Sequence, residues 1–217
     1  VRQNFSNVPK KSWVSRVEAS KHKKGTAYVT FDNHRFDDNR PYVYVTNDYG
    51  KSWKNITGNL PEKYSVYVIK EDYIDENLLF VGTEESVYFS KDKGNSWEKL
   101  GKNLPTVAIH DLVIHPREGD IIAGTHGKSI WILDDISPLR FLNKNKSNLL
   151  PTRISTKWIK INTGRKQPYF EFRGENPPYG AIINFYSNSK INGELLISKD
   201  EFESEKNTPS FRKSIEI

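Results

Sequence analysis

A chain of 217 residues with 35% hydrophobic and 28% charged side chains is lean in apolar surface, yet 5 Trp, 11 Tyr and 11 Phe supply bulk that a disordered chain lacks. That length holds one large all-β domain or two smaller ones. The absence of Cys excludes disulfides and thiolate metal ligands, and no apolar run approaches the ~20 residues of a membrane span.

The formal net charge of +6 is concentrated at the start of the chain. Residues 1–30 carry Arg2, Lys10, Lys11, Arg16, Lys21, Lys23 and Lys24 against Glu18 alone. No RNP, helix-turn-helix or zinc-finger pattern accompanies them, so a solvated basic face is expected and nucleic-acid contact is not. A chain that begins at Val1 and contains no Met reads as a piece of a longer protein whose targeting segment, if it has one, lies outside these residues.

In chain order, a basic segment (1–11) precedes runs rich in β-branched and aromatic residues at 13–17, 26–31 and 42–45, broken by Gly, Asn and Asp. The same triplet of runs returns at 66–70, 79–83 and 87–90, and again at 111–114, 121–125 and 130–133. The connecting marks repeat with them. Thr46-Asn47-Asp48-Tyr49-Gly50-Lys51-Ser52-Trp53 recurs 44 residues later as Ser90-Lys91-Asp92-Lys93-Gly94-Asn95-Ser96-Trp97, and Asn59-Leu60-Pro61 recurs at the same offset as Asn103-Leu104-Pro105. A third copy ends in Asp134-Asp135, where Ile136-Ser137-Pro138 replaces the Gly and the Trp. A period of about 40–45 residues with several strands per unit predicts propeller blades, three of them within 12–142. A linker is expected at 143–156. Further strand-like runs at 157–161, 169–172, 181–186 and 194–198, followed by a charged loop at 199–209, read as the start of a β-sandwich over 157–217.

The two copies of Ser/Thr-x-Asp-x-Gly-x-Ser/Thr-Trp resemble the Asp-box signature of BNR repeats, found in sialidases, xyloglucanase-type glycoside hydrolases and the sortilin propeller. Gly124-Thr125-His126-Gly127-Lys128-Ser129-Ile130-Trp131-Ile132-Leu133-Asp134-Asp135 is similar to the closing blade of bacterial BNR-repeat, sortilin-like glycosyl hydrolase proteins. The resemblance implies an all-β chain, a partial β-propeller followed by an immunoglobulin-like β-sandwich, from a secreted or periplasmic protein.

Thr46, Asp48, Gly50 and Trp53, with Ser90, Asp92, Gly94 and Trp97, are expected to be structural. In the hairpin between a blade's third and fourth strands the Asp accepts backbone N–H bonds, the hydroxyl closes the network, and the Gly takes a positive φ. The Trp is expected to cover the hairpin as an apolar plug. Alternating strands put the second-to-third loops at the opposite end, which makes His34, Arg35, Asp37, Asp38, Glu84, Glu85, His126 and Lys128 the ligand-face candidates. Their carboxylates and cations suit hydroxyls or carboxylates of a glycan or protein ligand. His110 and His115 are expected to cap or cover their strand.

Two functions follow. One is a binding or scaffolding module whose partners are a glycan or protein and the remaining blades of its parent chain. The other is part of a glycoside hydrolase, with Asp37 or Asp38 facing Glu84 or Glu85 at roughly 5–10 Å across a sugar bond. The chain lacks a sialidase Phe/Tyr-Arg-Ile-Pro motif, a Ser-His-Asp or Cys-His arrangement, a phosphate loop and His-Glu-x-x-His, and neither cofactor nor metal is expected.

Overall fold

The computed structural model describes residues 5, 7–101, 103–155 and 180–187. The runs expected at 157–161, 169–172 and 194–198 and the loop at 199–209 lie outside them. A first compact unit runs through residue 140, and a second covers residues 141–216.

The first unit is built of antiparallel sheets in sequence order. Strands β1 (Trp13–Ala19), β2 (Ala27–Asn33), β3 (Asp38–Thr46) and β4 (Lys54–Asn55) form one four-stranded sheet. Another contains β5 (Val66–Glu71), β6 (Leu79–Thr83), β7 (Val87–Ser90) and β8 (Glu98–Lys99). The third has β9 (Ile109–Ile114), β10 (Ile121–Thr125) and β11 (Ile130–Leu133). Each strand pairs with the next along the chain, the meander of a propeller blade.

Both faces of the first sheet are apolar, because it has neighbours on both sides. Tyr28, Val43 and Val45 point one way and join Val66, Ile69, Leu79, Val81, Tyr88 and Trp97 in a buried cluster shared with the second sheet. Val29, Phe31, Tyr42 and Tyr44 point the other way and pack with Phe5, Val8 and Trp53. Alternate residues of 28–31 and 42–45 thus face opposite ways, and both sets are buried. Between the second and third sheets the approach is so close that a Cβ on Gly82 would stand 2.7 Å from Val68 and 2.8 Å from the Ile109 carbonyl.

The third blade lacks the turn that makes a fourth strand. Asp135 instead caps helix α1 (Ser137–Phe141), its carboxylate accepting the Ser137 N–H at 3.0 Å. The Lys91 ammonium donates to the Leu139 and Arg140 carbonyls at the other end of the helix. Arg140 forks onto Asp72 with two 2.8 Å bonds, and Asp72 is fully buried. Burial works to raise the Asp72 pKa, but the Arg140 guanidinium and the Asp75 and Ile74 N–H groups outweigh it, and the carboxyl titrates below its ordinary range.

In the second unit, β12 (Asn148–Leu149) pairs antiparallel with β13 (Phe185–Tyr186). β12 thus falls within the stretch 143–156 expected as linker.

Candidate functional site

The Asp-boxes occupy equivalent turns and repeat bond for bond. In the first, Asp48 accepts the Thr46 hydroxyl at 2.8 Å, the Ser52 N–H at 2.9 Å and the Ser52 hydroxyl at 2.6 Å. In the second, Asp92 accepts the Ser90 hydroxyl at 2.7 Å, the Ser96 N–H at 2.8 Å and the Ser96 hydroxyl at 2.5 Å. The Thr46 and Ser90 oxygens accept the Gly50 and Gly94 N–H at 2.9 and 2.8 Å. Gly50 and Gly94 have φ of 82° and 86°, and the preceding Tyr49 and Lys93 are also left-handed at 60° and 58°. The Ser52 bonds lower the Asp48 carboxyl to about 2, with Thr46 adding to them. These carboxylates are saturated by their own turns.

Trp53 lies against its own turn, where a Cβ on Gly50 would stand 3.6 Å from its ring, whereas Trp97 differs from the expectation that it covers its own hairpin. Trp97, 3% exposed, reaches back into the previous blade: its indole N–H donates to the Ile56 carbonyl at 3.0 Å. The Asn59 carboxamide clamps the Trp97 backbone, accepting its N–H at 2.6 Å and donating to its carbonyl at 3.0 Å. The repeated Asn-Leu-Pro mark is therefore, at Asn59, a latch between blades. Trp53 is only half-buried, and its indole nitrogen has no hydrogen-bond partner among the described residues.

At the opposite end of the sheets, rings from all three blades form a row. His34 lies in a 3-10 turn (His34–Phe36) between β2 and β3, held by Asp32, whose carboxylate meets the ring Nδ1 at 2.5 Å and the backbone N–H at 3.0 Å. Its ring stands edge-to-face with Tyr67 of β5 at 6.4 Å. Tyr67 stacks on His110 of β9 at 4.5 Å, and His110 stacks on His126, just beyond β10, at 5.2 Å. The Tyr67 hydroxyl donates to exposed Glu84, which follows β6 directly. Burial pushes the Tyr67 phenol up and the Glu84 carboxylate adds to the effect, so it stays a neutral donor across the physiological range. The repeat explains the row: Tyr67 and His110 hold matching places near the starts of first strands, and Glu84 and His126 matching places after second strands.

Of the eight sequence candidates, this arrangement joins His34, Glu84 and His126. Arg35 lies over the Trp13 ring at 5.2 Å. Asp37 is left-handed, with φ 57°, and closes the 3-10 turn by donating its N–H to the His34 carbonyl at 3.0 Å. Asp38 belongs to β3 rather than to the loop; Arg40 grips it at 2.8 and 3.1 Å, and Tyr42 and Asn33 donate to it. Arg40 first, then Tyr42 and Asn33, hold its carboxyl far below the ordinary range. Glu85 accepts from Lys99 at 2.8 Å and Tyr88 at 2.9 Å, and Lys99 keeps its pKa low. Lys128 shapes the turn after His126, its carbonyl accepting the Trp131 indole N–H at 2.8 Å. Sequence reasoning missed Tyr67, His110 and Asp32. Aligning the polar residues of the repeat, and not only its Asp-boxes, would have found the first two. His115 caps a turn, its Nδ1 accepting the Glu118 N–H at 3.1 Å. Among the described residues no group of three His, Asp or Glu is placed to hold a metal ion, and no helix is long and apolar enough to cross a membrane.

Two four-stranded meanders closed by equivalent Asp-boxes and a third of three strands, with loops from each blade meeting at one end, define a BNR-type β-propeller segment. The chain belongs to the Sortilin-Vps10 family, described as sortilin, neurotensin receptor 3, whose family model matches residues 41–216. No curated protein matches it. Solved structures similar to it include an ancestral GH74 enzyme (TM-score 0.44, 19% identity, 56% of this chain and 18% of that one). The GH74 xyloglucanase from Xanthomonas campestris is similar at TM-score 0.44 and 14% identity, over 56% of this chain and 22% of that one. YCF48 bound to D1 peptide is similar at TM-score 0.42 and 18% identity, over 59% and 38%. The chain spans less than a quarter of the length of the two GH74 proteins.

Proposed function

We propose that this chain is a binding segment of an exported propeller protein, and that the row His34, Tyr67, His110, His126, with Glu84 beside it, is its ligand face for a glycan or protein. The observation that carries this reading is the row itself: three blades place polar-edged rings in mutual contact at the loop end, while Asp38 and Glu85 nearby are taken up in ion pairs with Arg40 and Lys99. Imidazole edges and the Glu84 carboxylate offer donors and acceptors to a polar ligand, and the rings offer apolar area. Family membership supports an exported protein.

The hydrolase reading is weaker. A glycosidase acid needs a raised pKa, and Asp38 and Glu85 are both held low by cations. The test is a titration of the chain with neutral oligosaccharides and extended peptides, parent against Tyr67→Ala/His110→Ala. Binding without turnover, lost at least tenfold in the variant, is expected. Turnover would favour the hydrolase, and undiminished binding by the variant would remove the row from the site.

A further inference from the structure

A second concave site lies at the Asp-box end of the first two blades, away from the ring row. It is a cavity of about 280 Å³ walled by the β1–β2 and β5–β6 turns, Lys54 and the second Asp-box. The acids around it are already engaged. Glu71, 3% exposed, accepts the Ser20 hydroxyl at 3.0 Å, the Tyr28 hydroxyl at 2.8 Å and the Lys21 N–H at 2.6 Å. Asp92 is closed within its turn, and Glu76 pairs with Lys93 at 2.9 Å.

What stays open is a set of donors. Lys54 touches the Asn95 oxygen at 3.5 Å, a weak contact, and exposed Lys23 makes no side-chain hydrogen bond among the described residues. Asn47, which also lines the cavity, accepts the Thr26 hydroxyl on its carboxamide oxygen at 3.0 Å. Val45, Ile56 and Tyr28 complete the wall with apolar surface. The cluster of Lys21, Lys23 and Lys24 that stood out in the sequence sits on the turn that rims it.

We propose that this cavity binds the anionic group of an acidic saccharide, a carboxylate or sulfate carried on a sugar ring. The ammonium groups of Lys23 and Lys54 match an oxyanion by charge-assisted hydrogen bonds. The apolar wall suits the face of a ring, and the volume suits one ring rather than several. A nucleic-acid strand would instead require a groove of cations lined by stacking aromatics, whereas these donors converge on one hollow.

The test is calorimetric titration of the 217-residue chain at low salt with a heparin hexasaccharide, a trigalacturonate and neutral cellohexaose, with a short DNA duplex as a polyanion control. The first two probes separate sulfate from carboxylate. Binding of at least one acidic probe is expected, weakening with added salt. Lys23→Gln/Lys54→Gln should weaken it tenfold or more, and Lys63→Gln, which removes a lysine that does not line the cavity, should leave it unchanged. Equal affinity for cellohexaose or for the duplex, failure of both acidic probes, or indifference to the double substitution would each overturn the proposal. Tyr67→Ala/His110→Ala leaves this binding intact, so the two sites are judged separately.

Discussion

Replacing Trp97 by Ala tests how the blades are held together. The indole is 3% exposed between two sheets, and a buried Trp covers about 150–250 Å². At about 25 cal/mol per Å² that burial is worth roughly 4–6 kcal/mol, and measured Trp→Ala losses run at about 3–5 kcal/mol. The Ile56 carbonyl also loses its donor at 3.0 Å. A loss of about 4 kcal/mol is expected, a large share of the ~5–15 kcal/mol that stabilises a typical domain. Trp97→Phe keeps most of the apolar contact and should lose only about 1–2 kcal/mol, mainly the hydrogen bond. Trp53→Ala should fall near 2 kcal/mol, because that side chain is half-buried and its indole nitrogen has no partner among the described residues. Urea unfolding followed by circular dichroism reads all three without relying on the fluorescence of the substituted residue. A Trp97→Ala chain within about 1 kcal/mol of the parent, or one no less stable than Trp53→Ala, would refute the role given to Trp97 between the blades.

Other consequences follow from single contacts. Asn59→Ala removes both hydrogen bonds on the Trp97 backbone and should cost about 1–3 kcal/mol by the same unfolding assay, whereas Asn59→Asp keeps an acceptor for the N–H and should cost less. Arg140→Leu leaves Asp72 buried and unpaired and should cost about 3–5 kcal/mol, and a near-neutral result would mean that α1 is not docked on the second blade. Acid should destabilise the fold from a known source. Asp38, Asp48, Asp72, Asp92 and Glu85 all have folded-state pKa values below their unfolded ones. Their stabilisation is complete above the ordinary carboxylate range and is lost as pH falls through the folded values, to about 2 for Asp48. Melting temperatures measured from pH 6 to pH 2 should therefore decline steadily below about pH 5, and a flat profile would contradict the network.

The blade repeat was legible because it is written in local chemistry. An Asp, a hydroxyl and a Gly at fixed spacing close a turn by themselves, and strands at 79–83, 87–90, 121–125 and 130–133 lie where β-branched runs and breakers put them. Long-range partners were not legible. Trp97 reaches Ile56 and Arg140 reaches Asp72 across intervals that no periodicity marks. The ligand end was half visible. Loop alternation brought His34, Glu84 and His126 to one end, but Tyr67 read as an ordinary strand residue and His110 as a cap on a strand that in fact includes it, since a ring stack between blades leaves no trace in either strand alone. Asp38 looked like a loop carboxylate because the loop was judged by its polarity, whereas the pairing of Asn33 with Asp38 draws it into β3.

The chain has 5 His, and their imidazole nuclear magnetic resonance signals test the ligand face directly. His34, His110 and His126 belong to the row, whereas the His22 Nε2 binds the Asp72 carbonyl at 2.8 Å and His115 caps its turn. During titration with an uncharged peptide or neutral oligosaccharide that binds the chain, the signals of His34, His110 and His126 should move together with one saturation curve while those of His22 and His115 stay still. Saturable binding that leaves the three row signals unmoved, or that shifts only His22 and His115, would contradict the account.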